Sequence, residues 1–124
     1  MNALLSEVTR DGATQARPSG PELFEVDAAT LYAWLEGDSV LLVDVRESHE
    51  FERERITGAF LVPMSRFDPE TFPRVAGLKT VLVSEHGPRS AALTERLTEA
   101  GFADVYALTG GLDAWRAAGY ELDE

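Results

Sequence analysis

Seven consecutive residues hold most of the chemistry this chain offers: Ser84-Glu85-His86-Gly87-Pro88-Arg89-Ser90. They follow Val81-Leu82-Val83, an apolar run that reads as a short buried strand between Gly77 and Gly87. Pro88 suits the first turn of a helix, where its missing N–H costs nothing. Leu93, Leu97 and Ala100 then share one helical face, with Gly101 as a C-terminal cap. Ser84 is thereby set at the carboxyl end of a strand, facing the N–H groups of a loop and of a helix start. Parallel α/β sheets keep their ligands at that edge, and converging amides there favour an anion. His86 lies two positions from Ser84, which raises a serine–histidine hydrolase as one reading. A tight loop seldom folds an imidazole back onto a hydroxyl so near in sequence, and no third, orienting group is evident.

Composition removes other chemistries. The chain has no cysteine, which excludes disulfides, thiolate metal sites and a thiol nucleophile together. Its two histidines, His49 and His86, are too few for a zinc site without help from carboxylates, and no metal or organic cofactor is expected. Against 22 acidic side chains stand 11 basic ones, a net charge of −11 that disfavours nucleic acid and anionic membranes and favours cationic partners. No stretch approaches the roughly 18 apolar residues that span a bilayer, and the first twenty residues lack the apolar core of a secretory signal. A cytoplasmic location is the expectation.

The elements that must position Ser84 follow from periodicity and breakers. At 124 residues and 44% hydrophobic content the chain suits one domain with a modest core. Residues 1–21 read as a flexible N-terminal arm broken by Gly12, Pro18, Gly20 and Pro21, and residues 22–124 as the domain. Leu23 to Val26 suits an edge strand. Asp27 is a good N-cap for a helix carrying Leu31, Trp34 and Leu35, which stops at Gly37. Val40 to Val45 is a nearly continuous apolar run, the pattern of a strand covered on both faces. Glu47 to Arg55 reads as a short charged helix with Phe51 turned inward, and Ala59 to Val62 as another strand. Phe67 to Val75 reads as a loop with a helical turn. Val105 to Leu108 is a further strand, and a last helix from Leu112 to Ala118 buries Leu112 and Trp115. Trp34, Trp115, Phe51 and Phe102 are assigned to the core. Strands alternating with short helices imply an α/β fold, a mainly parallel sheet with helices on both faces.

Three segments, in order and at matching spacing, resemble the rhodanese-like domain. The first is Leu42-Val43-Asp44-Val45-Arg46-Glu47 with Glu50-Phe51, Ile56, Gly58-Ala59 and Val62-Pro63. The second is the loop from Ser84 to Ser90, and the third is Leu108, Gly110-Gly111 and Ala114-Trp115. The likeness runs from about Glu22 to Tyr120. It implies a three-layer fold with about five strands, and persulfide-based sulfur transfer at the loop. The donor would be a small sulfur-containing anion such as thiosulfate, or a protein persulfide, with a thiophilic acceptor and room for a protein partner. The six positions from Ser84 to Arg89 match the short loop of sulfur-transfer members. Phosphatases of the same fold have a loop one residue longer.

In that family the nucleophile is a cysteine at the place of Ser84. A cysteine there works because loop amides and the helix dipole stabilise its thiolate, which then accepts sulfur reversibly. A hydroxyl keeps the geometry, ionises far less readily and cannot carry a perthiol, so the chain is expected to be inactive as written. The serine is either the residue of a non-catalytic binding or regulatory module, or a replacement for a cysteine; both readings fit the sequence. Glu85, His86, Gly87, Pro88, Arg89 and Ser90 would form the anion cradle around Ser84, with Asp44, Arg46 and Glu50 behind it. Arg89 is expected to tie the loop to a carboxylate such as Glu50 rather than to clamp an anion, and Asp44 and Arg46 to orient backbone at the sheet edge. Glu85 puts a negative charge at the rim, which suits neither phosphate nor free thiosulfate. Glu54-Arg55-Ile56 departs from the family's usual Gly-His-Ile and is read as a surface variation near the mouth.

Overall fold

The computed structural model describes residues 24–124. The arm assigned to residues 1–21, and Leu23 of the first strand, lie outside them. Five strands form one sheet: β1 (Glu25–Val26), β2 (Val40–Asp44), β3 (Phe60–Leu61), β4 (Lys79–Val83) and β5 (Val105–Leu108). Their spatial order is β1-β5-β4-β2-β3, and every neighbouring pair is parallel. Four α-helices alternate with them: α1 (Ala28–Glu36), α2 (Ser48–Arg53), α3 (Pro88–Glu99) and α4 (Gly111–Ala117).

The two long central strands are buried on both faces, which is why their sequences are apolar without alternation. Their side chains nevertheless part by the twofold period of a strand. Leu42, Val81, Val83 and Leu108 pack with Leu31 of α1 and with Leu112 and Trp115 of α4. Leu41, Val43, Leu82 and Val105 pack on the opposite face with Leu93 and Leu97 of α3 and with Phe67, Phe72 and Phe102.

The connections define the working edge. From β2 the chain moves outward to β3, and from β4 it moves the other way to β5, so β2 and β4 flank a topological switch point. Asp44 is in register with Val83, and the Val45 amide donates to the Val83 carbonyl at 2.9 Å. Residues 45–46 and 84–85 therefore leave the sheet side by side, over the crevice where such folds bind ligands.

Local signals account for the helix ends. Asp27 caps α1 by accepting from the Thr30 amide at 2.8 Å, and Pro88 occupies the first turn of α3. Two expectations are corrected. Phe51 is only half-buried and α2 buries no residue; the ring carries the Arg55 guanidinium at 5.2 Å instead of filling the core. Trp34 likewise packs on the core's margin, edge-on to Tyr106, rather than within it. The helical turn expected within 67–75 is the one the Thr71 amide closes on the Asp68 carbonyl at 3.1 Å, and a 3₁₀ turn at Met64–Arg66 precedes it.

Candidate active-site loop

Ser84 follows the last residue of β4 and has no solvent exposure. Its hydroxyl is the hub of the loop. The amides of Gly87 and Ser90 donate to Ser84 Oγ at 3.2 and 3.1 Å. Ser84 Oγ donates in turn to Ser90 Oγ at 3.1 Å, and the Ser90 hydroxyl donates to the Gly87 carbonyl at 2.9 Å. The chain can wrap this tightly because Gly87 takes φ of +113°, a conformation that disfavours a side chain, and α3 begins directly after it. Two amides and a helix start thus converge on one side-chain atom, an arrangement that would stabilise negative charge at that atom.

The base of the loop is held from below by α4. The Leu112 amide donates to the Ser84 carbonyl at 2.9 Å and the Asp113 amide to the Glu85 carbonyl at 3.1 Å. Gly111 makes this possible: at φ of +61°, an added Cβ would collide with the Ser84 carbonyl and sit 2.7 Å from that of Glu85. The Gly110-Gly111 pair is thus a close-approach site that seats one helix N-terminus against the loop. Its sequence signal, paired glycines after a strand, was visible, but which backbone it approaches was not.

Charged side chains brace the outside. Arg46 is fully buried and forks onto Asp44, with Nε at 3.0 Å from Oδ1 and Nη2 at 2.9 Å from Oδ2. The same guanidinium donates to Glu85 Oε1 at 3.2 Å and to the Glu54 carbonyl at 2.6 Å. Burial opposes its charge, but the Asp44 and Glu85 carboxylates outweigh that cost and hold its pKa above the ordinary arginine value. Arg116 of α4 grips the other oxygen of Glu85 at 2.8 Å and also pairs with Glu54, which raises its pKa in the same way. Arg89 and Glu50 form a two-pronged pair at 2.8 and 2.9 Å. That pair lowers the Glu50 pKa to about 2.

The structure brings Ser84, Gly87, Pro88, Arg89 and Ser90 into one loop, with Asp44, Arg46, Glu50 and Glu85 bonded around it. Arg89 takes the partner expected of it, Glu50. His86 is turned away: its Nδ1 lies 2.6 Å from Asp113 Oδ2 on the exposed rim, while Ser84 is bonded to Ser90 and to loop amides. No base reaches the Ser84 hydroxyl among the described residues, which removes the serine–histidine hydrolase. Glu54 corrects the reading of its segment as mere surface variation, since its carbonyl and carboxylate tie Arg46 and Arg116 together. Arg116 and Asp113 were missed because no local pattern announces their partners, Glu85 and His86, across 31 and 27 residues. No group of side chains that could hold a metal ion occurs among the described residues.

Comparison with known proteins identifies the family. The family model of the rhodanese-like domain matches residues 27–118. An uncharacterized protein of Synechocystis is 42% identical over 90 residues, covering 73% of this chain and 50% of that protein. The chain thus spans about half of that relative's length. The thiosulfate sulfurtransferase GlpE of Coxiella burnetii is 33% identical over 90 residues, covering 70% of this chain and 83% of the relative. The crystal structure of a rhodanese-related protein from Thermoplasma volcanium superposes with a TM-score of 0.69 at 29% identity, covering 80% of this chain and 96% of the other.

Proposed function

The chain belongs to the rhodanese-like domain family, and from that premise we propose that its loop is a sulfur-transfer cradle rendered inert by serine at position 84. One observation supports this reading above the others: two backbone amides and the start of α3 converge on the Ser84 side-chain oxygen. A sulfur at that atom would be stabilised as a thiolate by the same amides. Attack of such a thiolate on the outer sulfur of thiosulfate forms a sulfur–sulfur bond, leaves a persulfide anion on the protein and expels sulfite. A thiophilic acceptor then takes the sulfur and restores the thiolate. The serine hydroxyl carries no sulfur with which to form that bond, and has no route into this cycle.

The test is Ser84→Cys treated with thiosulfate, or with a low-molecular-weight persulfide, and followed by intact-mass spectrometry. The variant is expected to gain one sulfur atom, reversed by cyanide, while the serine chain gains none. A variant that folds and takes sulfur from neither donor overturns the reading.

A second reading has its own support. The Ser84 hydroxyl accepts two bonds and donates one, so the loop is complete without a ligand. A domain whose serine is the encoded residue would use this ordered loop as a non-catalytic binding or regulatory surface. It predicts that the Ser84→Cys variant turns over thiosulfate no faster than free cysteine does.

A further inference from the structure

Beside α4 lies an open cavity of about 510 Å³. Trp115 lines it, while the next residue, Arg116, points to the loop and holds Glu85. Its apolar walls are Tyr32 and Leu35 of α1, Ile56, Trp115 and Tyr120. The aromatic rings form one surface: Tyr32 and Tyr120 stack in parallel with centroids 4.4 Å apart, and Trp115 leans on Tyr120 at 4.8 Å. The C-terminal wall is fixed rather than loose. The Trp115 indole N–H donates to the Glu121 carbonyl at 3.0 Å, and Arg55 and Asp123 exchange backbone bonds of 2.9 and 2.7 Å.

The charge of this cavity is one-sided. Among the described residues its ionisable lining groups besides the tyrosines are the carboxylates of Glu36 and Glu121. Around the Ser84 loop the carboxylates of Asp44, Glu50, Glu54 and Glu85 are all paired with arginine. Neither Glu36 nor Glu121 has an ion-pair partner among the described residues. Tyr32 remains 42% exposed at the mouth although it is a large aromatic. The exposed Tyr32 ring beside two uncompensated carboxylates, on a chain of net charge −11, complements a flat cation on an apolar stem.

We propose that this cavity is a docking site for an arginine side chain of a basic polypeptide segment, with the guanidinium against the tyrosine pair and its N–H groups directed at Glu36 and Glu121. Arginine fits better than lysine, because a planar, weakly hydrated guanidinium stacks on rings and forks onto carboxylates. The volume lies within the roughly 300–1,000 Å³ of sites that enclose ligands, leaving space for a residue beside the arginine. The site does not depend on the chemistry at position 84.

The test uses the full chain carrying Trp34→Phe, so that Trp115 is the only tryptophan; Trp34 packs on Tyr106 and lies outside the cavity. Acetyl-Ala-Arg-Leu-amide should change Trp115 fluorescence saturably. Affinity should fall about tenfold when Glu36→Gln and Glu121→Gln are combined, and fall similarly in high salt. Acetyl-Ala-Glu-Leu-amide should not bind. Absence of saturable binding by the arginine peptide, equal binding of the two peptides, or binding unmoved by the double glutamine change overturns the proposal. Agmatine binding as tightly as the peptide overturns the assignment to a polypeptide. Glu36 and Glu121 are exposed, so the glutamine changes are expected to leave the melting temperature of the parent chain, which separates loss of binding from loss of folding; Tyr32→Ala should abolish binding independently.

Discussion

Arg89 and Glu50 meet fork to fork across the mouth of the loop, Nη1 to Oε1 at 2.8 Å and Nη2 to Oε2 at 2.9 Å, joining the first turn of α3 to α2. Glu50 Oε1 also accepts the Glu47 amide at 2.9 Å, so one carboxylate both caps its own helix and anchors the next. The arginine that could have faced an incoming anion is spent on structure. With Arg46 and Arg116 also held by carboxylates, the loop's capacity for negative charge rests on its amides and the start of α3.

The Glu50 pair makes stability depend on acid in a definite direction. Arg89 lowers the Glu50 pKa from 4.5 to about 2, so the folded chain resists protonation there more than the unfolded chain does. The contribution is therefore complete above about 4.5, declines as pH falls through the interval, and is gone below about 2. Arg89 is one-third exposed, and solvent screening limits the gain to about 1 kcal/mol. Glu50→Gln should lose that amount in denaturant titrations at pH 7, and the gap to the parent chain should narrow at pH 4 and again at pH 3. A gap of constant size would contradict the pairing.

Arg46 presents the opposite case, a charge fully removed from water. Its guanidinium serves Asp44, Glu85 and the Glu54 carbonyl, and Asp44 is almost as buried. Removing one partner leaves the other buried and unpaired, which costs about 3–5 kcal/mol. Arg46→Met should therefore destabilise the chain by about that much, while Arg46→Met combined with Asp44→Leu should recover part of the loss. Urea unfolding of both variants checks this, and a double variant no more stable than the single one would count against it.

His86 and Asp113 should matter far less. Their side chains are 69% and 56% exposed, so the contact between them is a surface pair in water. His86→Ala should change stability by no more than about 0.5 kcal/mol at pH 7. It should also leave hydrolysis of an activated ester at the level of the parent chain, because the imidazole does not reach Ser84. Ester turnover that disappeared in this variant would restore the hydrolase that the geometry removes.

Much of this was legible in the sequence because it is local. The apolar runs at 40–45 and 81–83, Asp27 ahead of its helix and Pro88 after Gly87 each state their structure within a few residues. The Ser84 nest was legible for the same reason, since a strand, a glycine and a helix start are consecutive. The bracing was not. Arg46 to Glu85 and Arg116 to Glu54 span 39 and 62 residues, and only the register of β2 against β4 and the seating of α4 bring them together. Phe51 misled because an isolated aromatic in a charged helix has two ways to be satisfied, burial or a cation on its ring, and the sequence does not distinguish them.

Gly111 offers the sharpest test of how the loop is supported. Its backbone lies against the Ser84 and Glu85 carbonyls, with φ of +61°, and the amides of Leu112 and Asp113 complete the contact. Gly111→Ala imposes a collision with backbone oxygens that no rotamer relieves, together with a left-handed conformation costing roughly 1–2 kcal/mol. Helix α4 must then withdraw, loosening the Leu112 and Asp113 bonds and the grip of Arg116 on Glu85. A total loss of about 3 kcal/mol or more is expected in thermal or urea unfolding. Hydrogen exchange should show faster opening at Leu112 and Asp113 than in the parent chain, with Val105–Leu108 of β5 still protected. Gly119→Ala is the control: its φ is also positive, at +87°, but an added Cβ would meet nothing within 4 Å, so it should cost only the backbone strain. Equal losses in the two variants would mean that backbone strain alone, and not the support of the loop by α4, explains the glycine.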